Sequence, residues 1–375
     1  MSSPITHDDA RRAASPILET PGADGIEVVV FGSSIGLTRY ANSEIIQNTV
    51  RREVRAYVRA VVGSRVATAT TNQLDAESMR AAAGRAVEAA KASVADDLFP
   101  GLPSPEEVGT PQAITRWDSS TAAASPSQRA ERVNEILTAM KGLSSAGIYE
   151  TGSHAYAVVS SAGIDCFDEF SRCNTTCLAD SGDGTGWGEA SSHRMDEVDV
   201  ERVATTARRK AEAGEPVDAE PGIYEVVLES SAVATLVEYL GYTGFGAKQV
   251  LEGESFLAAR QGEKVAAPSV TIADDAVHPL SVGIGFDFEG VPKQRVAVID
   301  GGLATGPVTD LRSARQLKTA SSGHASGSTE FGPYAFHIVV ETGDKSTDEM
   351  VASIEDGFLV TRFHYVNIPT GRRPF

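Results

Sequence analysis

Hydrophobic and polar positions alternate along the N-terminal part of the chain in the manner of β-strands. Segments rich in Val, Ile, Tyr and Thr, residues that favour strands, follow one another at 27–34, 36–42, 44–53 and 54–71. The alternation is plainest in Val54–Arg59. We therefore predict an antiparallel meander, with a hairpin turn at Gly32–Gly36.

The apolar spacing then changes to that of helices. Asp75 is placed to cap a helix through the alanine-rich stretch 79–93, and Asp199 is placed to cap another. A helix near 127–141 is predicted from apolar residues that share one face: Val133, Ile136, Leu137 and Met140. The N-terminal part of the chain therefore combines strands with isolated helices.

A second pair of strands is predicted at 154–161 and 164–180. The glycine-dense stretch 182–189, which follows this pair, is predicted to be a loop. Residues 212–222 are rich in Glu, Pro and Gly, a composition typical of a domain boundary. We place the end of the first domain at residue 215.

Beyond this boundary, a strand at 223–230 leads into a helix that Ser230 or Ser231 can cap. Further strands are predicted at 294–302, 335–343 and 357–366. Runs of strands mixed with isolated helices favour an α+β fold over a regular βαβ alternation. We predict two domains, 1–215 and 221–375, each with a largely antiparallel sheet and packed helices.

Composition narrows the classes of protein. Hydrophobic residues make up 41% of the 375 residues and charged residues 22%, as in globular proteins. The 33 basic and 51 acidic residues give a net charge of −18, which argues against a nucleic-acid ligand. Because no apolar stretch approaches the roughly 20 residues of a membrane span and the N-terminus has no apolar targeting core, we expect no membrane association and a cytoplasmic location.

The cysteines offer little chemistry. Cys166, Cys173 and Cys177 are odd in number and lie within one predicted hairpin, so the sequence does not indicate a disulfide framework. A zinc site needs about four ligands, and the nearest histidine, His193, follows the glycine-rich stretch. We interpret the three cysteines as partly buried, reduced thiols.

Nucleophilic sites are equally hard to recognise. Gly32–Gly36 matches Gly-x-Ser-x-Gly, but a nucleophile elbow needs a helix after the serine, and strand-like residues follow here. No Ser/His or Cys/His arrangement is evident. Small residues let a peptide backbone approach closely, so Gly323, His324 and Ala325 are candidate peptide-binding residues, with a surface turn as the alternative.

The stretch 236–244, LVEYLGYTG, lies near the middle of the chain. Apolar residues occupy positions i, i+3, i+4 and i+7 of a helix here: Val233, Leu236, Val237 and Leu240. By itself this pattern predicts an ordinary core helix.

Several segments together resemble the TldD/PmbA family, once called modulators of DNA gyrase. They occur in the family's order at 39–53, 182–192, 274–279, 285–292, 321–327 and 357–366. Active members of that family are zinc metallopeptidases, and the helix at this point carries His-Glu-x-x-x-His. The resemblance places Val237 on the first histidine, Glu238 on the glutamate and Tyr242 on the second histidine.

This motif is degenerate in the present chain. Valine offers no lone pair to zinc, and a neutral tyrosine is a poor ligand. Residues five apart lie about 140° apart around a helix after one full turn, so two ligands there could share an ion only if the helix loosened. The family's cysteine ligand lies farther along, where this chain has none. The resemblance therefore implies the TldE (PmbA) branch, with no metal in this chain and no catalytic role for Glu238.

The same resemblance implies a partner. TldE-like chains pair with a zinc-bearing TldD-like subunit, and the complex cuts unfolded or ribosomally made peptides, including leader peptides of modified antibiotics, held by strand addition. The alternative is a stand-alone peptide-binding or scaffold homodimer without protease activity. Family members usually continue past the strand at 357–366, so we expect a C-terminal domain that is shortened, as a variant or by truncation.

Overall fold

The chain divides into two compact units in a computed structural model that describes residues 3–112, 114, 116–215 and 217–367. The first unit is Met1–Val217 with Val282–Gly285, and the second is Asp218–Ser281 with Phe286–Phe375. The units are therefore not two uninterrupted stretches of sequence. None of the helices in the described residues is long and apolar enough to cross a membrane.

The strands range from two to nineteen residues in length. In chain order they are β1 Gly25–Ala41, β2 Glu44–Val62, β3 Arg65–Thr71, β4 Ser144–Ser160, β5 Asp165–Asp180, β6 Thr185–Ser192, β7 Glu225–Leu228, β8 Ile272–Asp274, β9 Val296–Asp300, β10 Leu303–Ala304, β11 Ile338–Val340 and β12 Gly357–Val360.

The α-helices are mostly short. In chain order they are α1 His7–Ala14, α2 Ala76–Ala92, α3 Pro105–Val108, α4 Ser119–Ala122, α5 Pro126–Ala139, α6 Val200–Ala211, α7 Ser230–Gly244, α8 Ala247–Leu251, α9 Leu257–Arg260, α10 Leu311–Leu317 and α11 Thr347–Ala352. Single 3₁₀ turns lie at Ser15–Ile17 and Met195–Glu197. This mixture of helices and antiparallel sheets confirms the α+β prediction.

The first unit is built on one antiparallel sheet with the strand order β3-β2-β1-β4-β5-β6. On one stretch of this sheet, side chains of β1, β2 and β4 pack against α1 and α2. Farther along the strands, a second core packs Tyr40 and Tyr149 against α5 and α6. This second core includes Cys173 and Cys177, and all three cysteines are buried free thiols, as predicted.

The predicted hairpin turn at Gly32–Gly36 is wrong, because β1 passes straight through it. The guanidinium of Arg129, a buried side chain, occupies the place where a Cβ of residue 36 would stand. Gly36 is therefore required for close packing rather than for a turn. The chain turns instead after β1, where Asn42 and Ser43 have positive φ values of 51° and 61°.

The predicted loop at 182–189 is also wrong, since Thr185–Ser192 forms the edge strand β6. Gly186 and Gly188 lie so close to α6 that an added Cβ would collide with the backbone oxygens of Ala207 and Val203. Glycine here brings a helix backbone directly against a strand. The sequence pattern for a loop and for such a packed strand is the same.

The helices of the first unit begin where their capping residues predicted. The carboxylate of Asp75 accepts N–H bonds from Glu77 and Ser78 at the start of α2. The carboxylate of Asp199 accepts the N–H of Arg202 at the start of α6. In α5, the predicted apolar face is buried at Val133, Ile136 and Met140.

The second unit contains the antiparallel sheet β10-β9-β8-β11 and a parallel pair, β12-β7. The strands predicted at 223–230, 294–302, 335–343 and 357–366 are confirmed as β7, β9, β11 and β12. The predicted serine cap of α7 is wrong, because Glu229 is the N-cap residue and no side chain caps this end. Ser230 and Ser231 instead lie in the first turn, which follows directly on the short strand β7.

Candidate functional site

The degenerate motif lies on α7, which is helical without interruption from Ser230 to Gly244. Val237 packs toward the core of the second unit, against a cluster that includes Phe245, Ile272, Val298 and Ala335. Glu238 and Tyr242 are exposed. Since the helix does not loosen, Val237 and Tyr242 point to different sides, as their spacing predicts.

The residues present at these positions do not fit a zinc ion. Val237 has no donor atom, and the side chain of Tyr242 lies among aromatic rings rather than beside other donors. Within the part of the chain that the structure describes, no group of three or more His, Cys, Asp or Glu side chains could hold a metal ion. The chain's three cysteines all precede residue 178, in the first unit.

The candidate peptide-binding residues Gly323, His324 and Ala325 are all buried. His324 has no exposed surface at all. Peptide binding by this segment stays a prediction, although all three residues lie in the interior of the second unit. The segment instead holds neighbouring backbone: the oxygen of His324 accepts the N–H of Tyr334, and Ala325 forms a β-bridge with Pro333.

A chain of hydrogen bonds connects Ser322, His324 and Asp274. The hydroxyl of Ser322 lies 2.9 Å from Nδ1 of His324, and Nε2 of His324 lies 2.8 Å from a carboxylate oxygen of Asp274. Ser322 Oγ also accepts the N–H of Thr309, so its own proton is available to Nδ1. Burial lowers the pKa of His324, so the ring is neutral at pH 7 and donates from Nε2.

Ser, His and Asp are the residue types of a hydrolase triad, but here a substrate cannot reach them. Because Ser322, His324 and Asp274 are all buried, a substrate carbonyl cannot approach the serine oxygen. The backbone N–H of Thr309 already occupies one lone pair of that oxygen. The three side chains therefore act as an internal support, which sequence reasoning missed because Asp274 lies 50 positions from His324.

Two further charges complete the buried cluster. Burial lowers the pKa of Lys293, although Asp274 and Asp287 oppose this by attraction. Burial opposes ionisation of Asp274, but the hydrogen bond from His324 and nearby positive charge hold its pKa at about 2. Burial raises the pKa of Asp287, which accepts backbone N–H bonds from Glu289, Val291 and Ala325. Asp274 and Asp287 are thus the two carboxylates that oppose the effect of burial on Lys293.

The structure brings the two predicted sites together through a third segment, Phe331–Phe336. Tyr334, whose N–H is held by His324, has its ring 6.2 Å from that of Tyr242 on α7. The ring of Phe331 also lies 6.1 Å from that of Tyr242. The exposed face of α7 therefore meets a row of aromatic side chains that the buried charge cluster supports.

Comparisons with known proteins agree with this organisation. Models of three domains match the chain in order: PmbA/TldA metallopeptidase domain 1 at 26–90, the central domain at 106–215 and the C-terminal domain at 221–373. A crystal structure of TldE from Thermococcus kodakarensis superposes with a TM-score of 0.82. At 23% identity over 96% of this chain and 82% of that one, this likeness shows a shared fold.

Two archaeal relatives carry the name metalloprotease. The protein from Methanothermobacter thermautotrophicus is 27% identical over 198 residues, which are 51% of this chain and 42% of the relative. The protein from Archaeoglobus fulgidus is 28% identical over 137 residues, 36% of this chain and 32% of the relative. Each match thus spans less than half of the relative's length. With all three domain models in place and a TldE-like fold, the chain belongs to the PmbA/TldD family.

Proposed function

We propose that this chain is the metal-free, TldE-like subunit of a peptidase whose zinc is carried by a TldD-like partner. The observation that carries this proposal is that α7 is an intact helix without zinc-ligating side chains at Val237 and Tyr242. The helix is intact, but Val237 is part of the core and Tyr242 is part of an aromatic surface. A helix with this design can line a peptide-cleaving chamber, but it supplies no zinc ligand and no metal-bound water for Glu238 to activate.

An exposed strand edge supports a role in holding extended peptide or partner. β3 pairs with β2 only over Ala56–Val62, and among the described residues no other strand covers that edge of β2 before Ala56. The uncovered part carries exposed apolar side chains, Ile46 and Val50 among them. Such an edge presents free backbone N–H and C=O groups to a further strand.

The test is reconstitution of peptidase activity. The purified chain is mixed with a zinc-bearing TldD-like subunit from the same genome, and cleavage of an unfolded, fluorogenic peptide is followed. We expect cleavage by the mixture only, and its loss on addition of a zinc chelator. The control mixture contains the partner with its motif glutamate replaced by glutamine.

Two results would count against the proposal. Cleavage by this chain alone that survives the chelator would point to chemistry other than the partner's zinc. A chain that forms a homodimer, ignores the partner and still binds peptide would favour a stand-alone binding or scaffold protein.

A further inference from the structure

Four aromatic residues of the second unit form one contiguous cluster: Tyr242, Phe331, Tyr334 and Phe336. Tyr242 lies 6.1 Å from Phe331 and 6.2 Å from Tyr334, and Tyr334 lies 4.7 Å from Phe336, between ring centroids. The rings are tilted at 53° to 70° to one another rather than stacked in parallel. Tilted and edge-on arrangements of this kind are the ones that aromatic pairs prefer.

The aromatic cluster is open to solvent. The exposed fractions are 44% for Tyr242, 47% for Phe331 and 51% for Phe336. Single exposed apolar residues are ordinary, but three large exposed rings connected through Tyr334 form the kind of patch that marks a binding surface. Because Tyr334 is anchored by its N–H bond to His324, the surface is held in place from below.

One carboxylate borders this aromatic surface. Glu238 precedes Tyr242 by four residues on α7, so the two side chains share a face of the helix. Glu238 is exposed, and within the described residues its carboxylate makes no hydrogen bond or ion pair. It is close enough to Tyr334 that its charge, after burial, contributes to the raised pKa of that phenol.

The rings already accept one cation. The ammonium of Lys293 lies 5.5 Å from the centroid of Phe336. Asp274 and Asp287 are the carboxylates that attract this lysine. Among the described residues, Lys293 makes no ion pair with Glu238, so the negative charge of Glu238 has no basic partner.

We propose that the aromatic cluster and Glu238 together bind a cationic side chain, Arg or Lys, of an extended peptide. This inference rests on the proposed peptide-handling function and names the residue type that the site selects. Ring faces attract cations, and a carboxylate at their border adds a charge-assisted hydrogen bond. An anionic side chain would be repelled by Glu238, and an apolar one would cover that carboxylate without a partner.

The experiment compares two fluorescein-labelled peptides by fluorescence anisotropy with the full chain at physiological ionic strength. One peptide is Ala-Ala-Arg-Ala-Ala, and the other has citrulline in place of Arg, which keeps the shape and removes the charge. We expect the Arg peptide to bind about tenfold more tightly, the sum of a cation–π contact and a partly exposed ion pair.

Variants distinguish binding at this site from non-specific attraction of cations by the acidic chain. Glu238→Gln should reduce the preference to about twofold, since only the rings remain. Glu355→Gln removes one charge from an exposed loop residue of the same unit and should leave the preference unchanged. Phe331→Leu keeps the apolar area, removes a ring face and should give an intermediate preference.

Three results would overturn the inference. Equal binding of both peptides by the unmodified chain would remove the cation preference and leave peptide binding itself intact. An equal loss in Glu238→Gln and Glu355→Gln would assign the preference to net charge alone. Absence of binding by either peptide would contradict the inference together with the proposed peptide-binding function.

Discussion

At the scale of single residues, the buried carboxylate of Asp274 interacts with several groups of the second unit. Its carboxylate accepts hydrogen bonds from Nε2 of His324 and from the backbone N–H of His337. It also provides part of the charge that balances Lys293. Because Asp274 and His324 are buried and Lys293 is half-buried, removing the charge leaves the lysine with one nearby carboxylate fewer.

Asp274→Asn should therefore lower the free energy of unfolding by about 3 kcal/mol, because asparagine loses one of the two buried acceptor oxygens and a charge that attracts Lys293. Urea denaturation measures this. Asp344→Asn changes the same charge at an exposed residue and should cost less than about 0.5 kcal/mol. Equal stability of the two variants would mean that the buried charge cluster does not stabilise the unit.

The raised pKa of Asp168 in β5 predicts that the stability of the first unit depends on pH. Burial raises the pKa of this carboxyl to about 6, against N–H bonds from Gly285 and Glu169 that favour ionisation. A folded pKa above the unfolded value means that, as pH rises from about 4 to 6, the unfolded chain releases its proton first. Ionisation in this window therefore destabilises the folded state.

Asp168→Asn removes this titration, so the variant should gain up to about 2 kcal/mol relative to the unmodified chain between pH 4 and pH 6.5. The measurement is urea denaturation across this pH range. Asp183→Asn, an exposed control in the same unit, should follow the unmodified chain. Parallel pH profiles for the unmodified chain and Asp168→Asn would contradict the assigned pKa.

Residue spacing predicted some of the site but not its contacts. The separation of Val237 from Tyr242 around a helix follows from sequence spacing, and the structure places one in the core and the other on the surface. The hydrogen bonds that connect Ser322, His324 and Asp274 depend on how β8 lies against a distant loop. No local sequence pattern indicates that contact. From the sequence, His324 is therefore a candidate peptide-binding residue, although the structure shows that it is buried.

At the scale of elements, the packing of α6 on β6 explains both a success and an error. The helix was predictable because Asp199 caps it by a local hydrogen bond. The strand was not, because its glycines are there for contact with the backbone of α6 and not for a loop. Where glycine serves long-range packing, local composition cannot distinguish a strand from a turn.

Gly188→Ala should therefore destabilise the first unit by about 2 kcal/mol or more, since the added Cβ meets the oxygen of Val203 and must push α6 away. Gly84→Ala is the matched opposite. Gly84 lies within α2 with nothing within 4 Å of its Cβ position, so alanine should stabilise by about 0.5–1 kcal/mol. Thermal unfolding of both variants checks the pair, and the same sign for both would contradict this packing.

At the scale of the whole molecule, the strongly acidic chain carries the three family domains but no metal-ligating set among its described residues. Helix α7 packs Val237 against the core of the second unit and places Tyr242 among aromatic side chains. We propose that such a chain contributes binding surface to a peptidase whose metal is carried by a partner.

Native mass spectrometry tests this claim most directly. The purified chain is measured alone and after mixing with a zinc-bearing TldD-like subunit from the same genome. We expect a metal-free mass for the chain alone and a defined complex in which the zinc stoichiometry equals that of the partner. A stoichiometric zinc ion in the chain alone, or failure to form any complex with the partner, would contradict it.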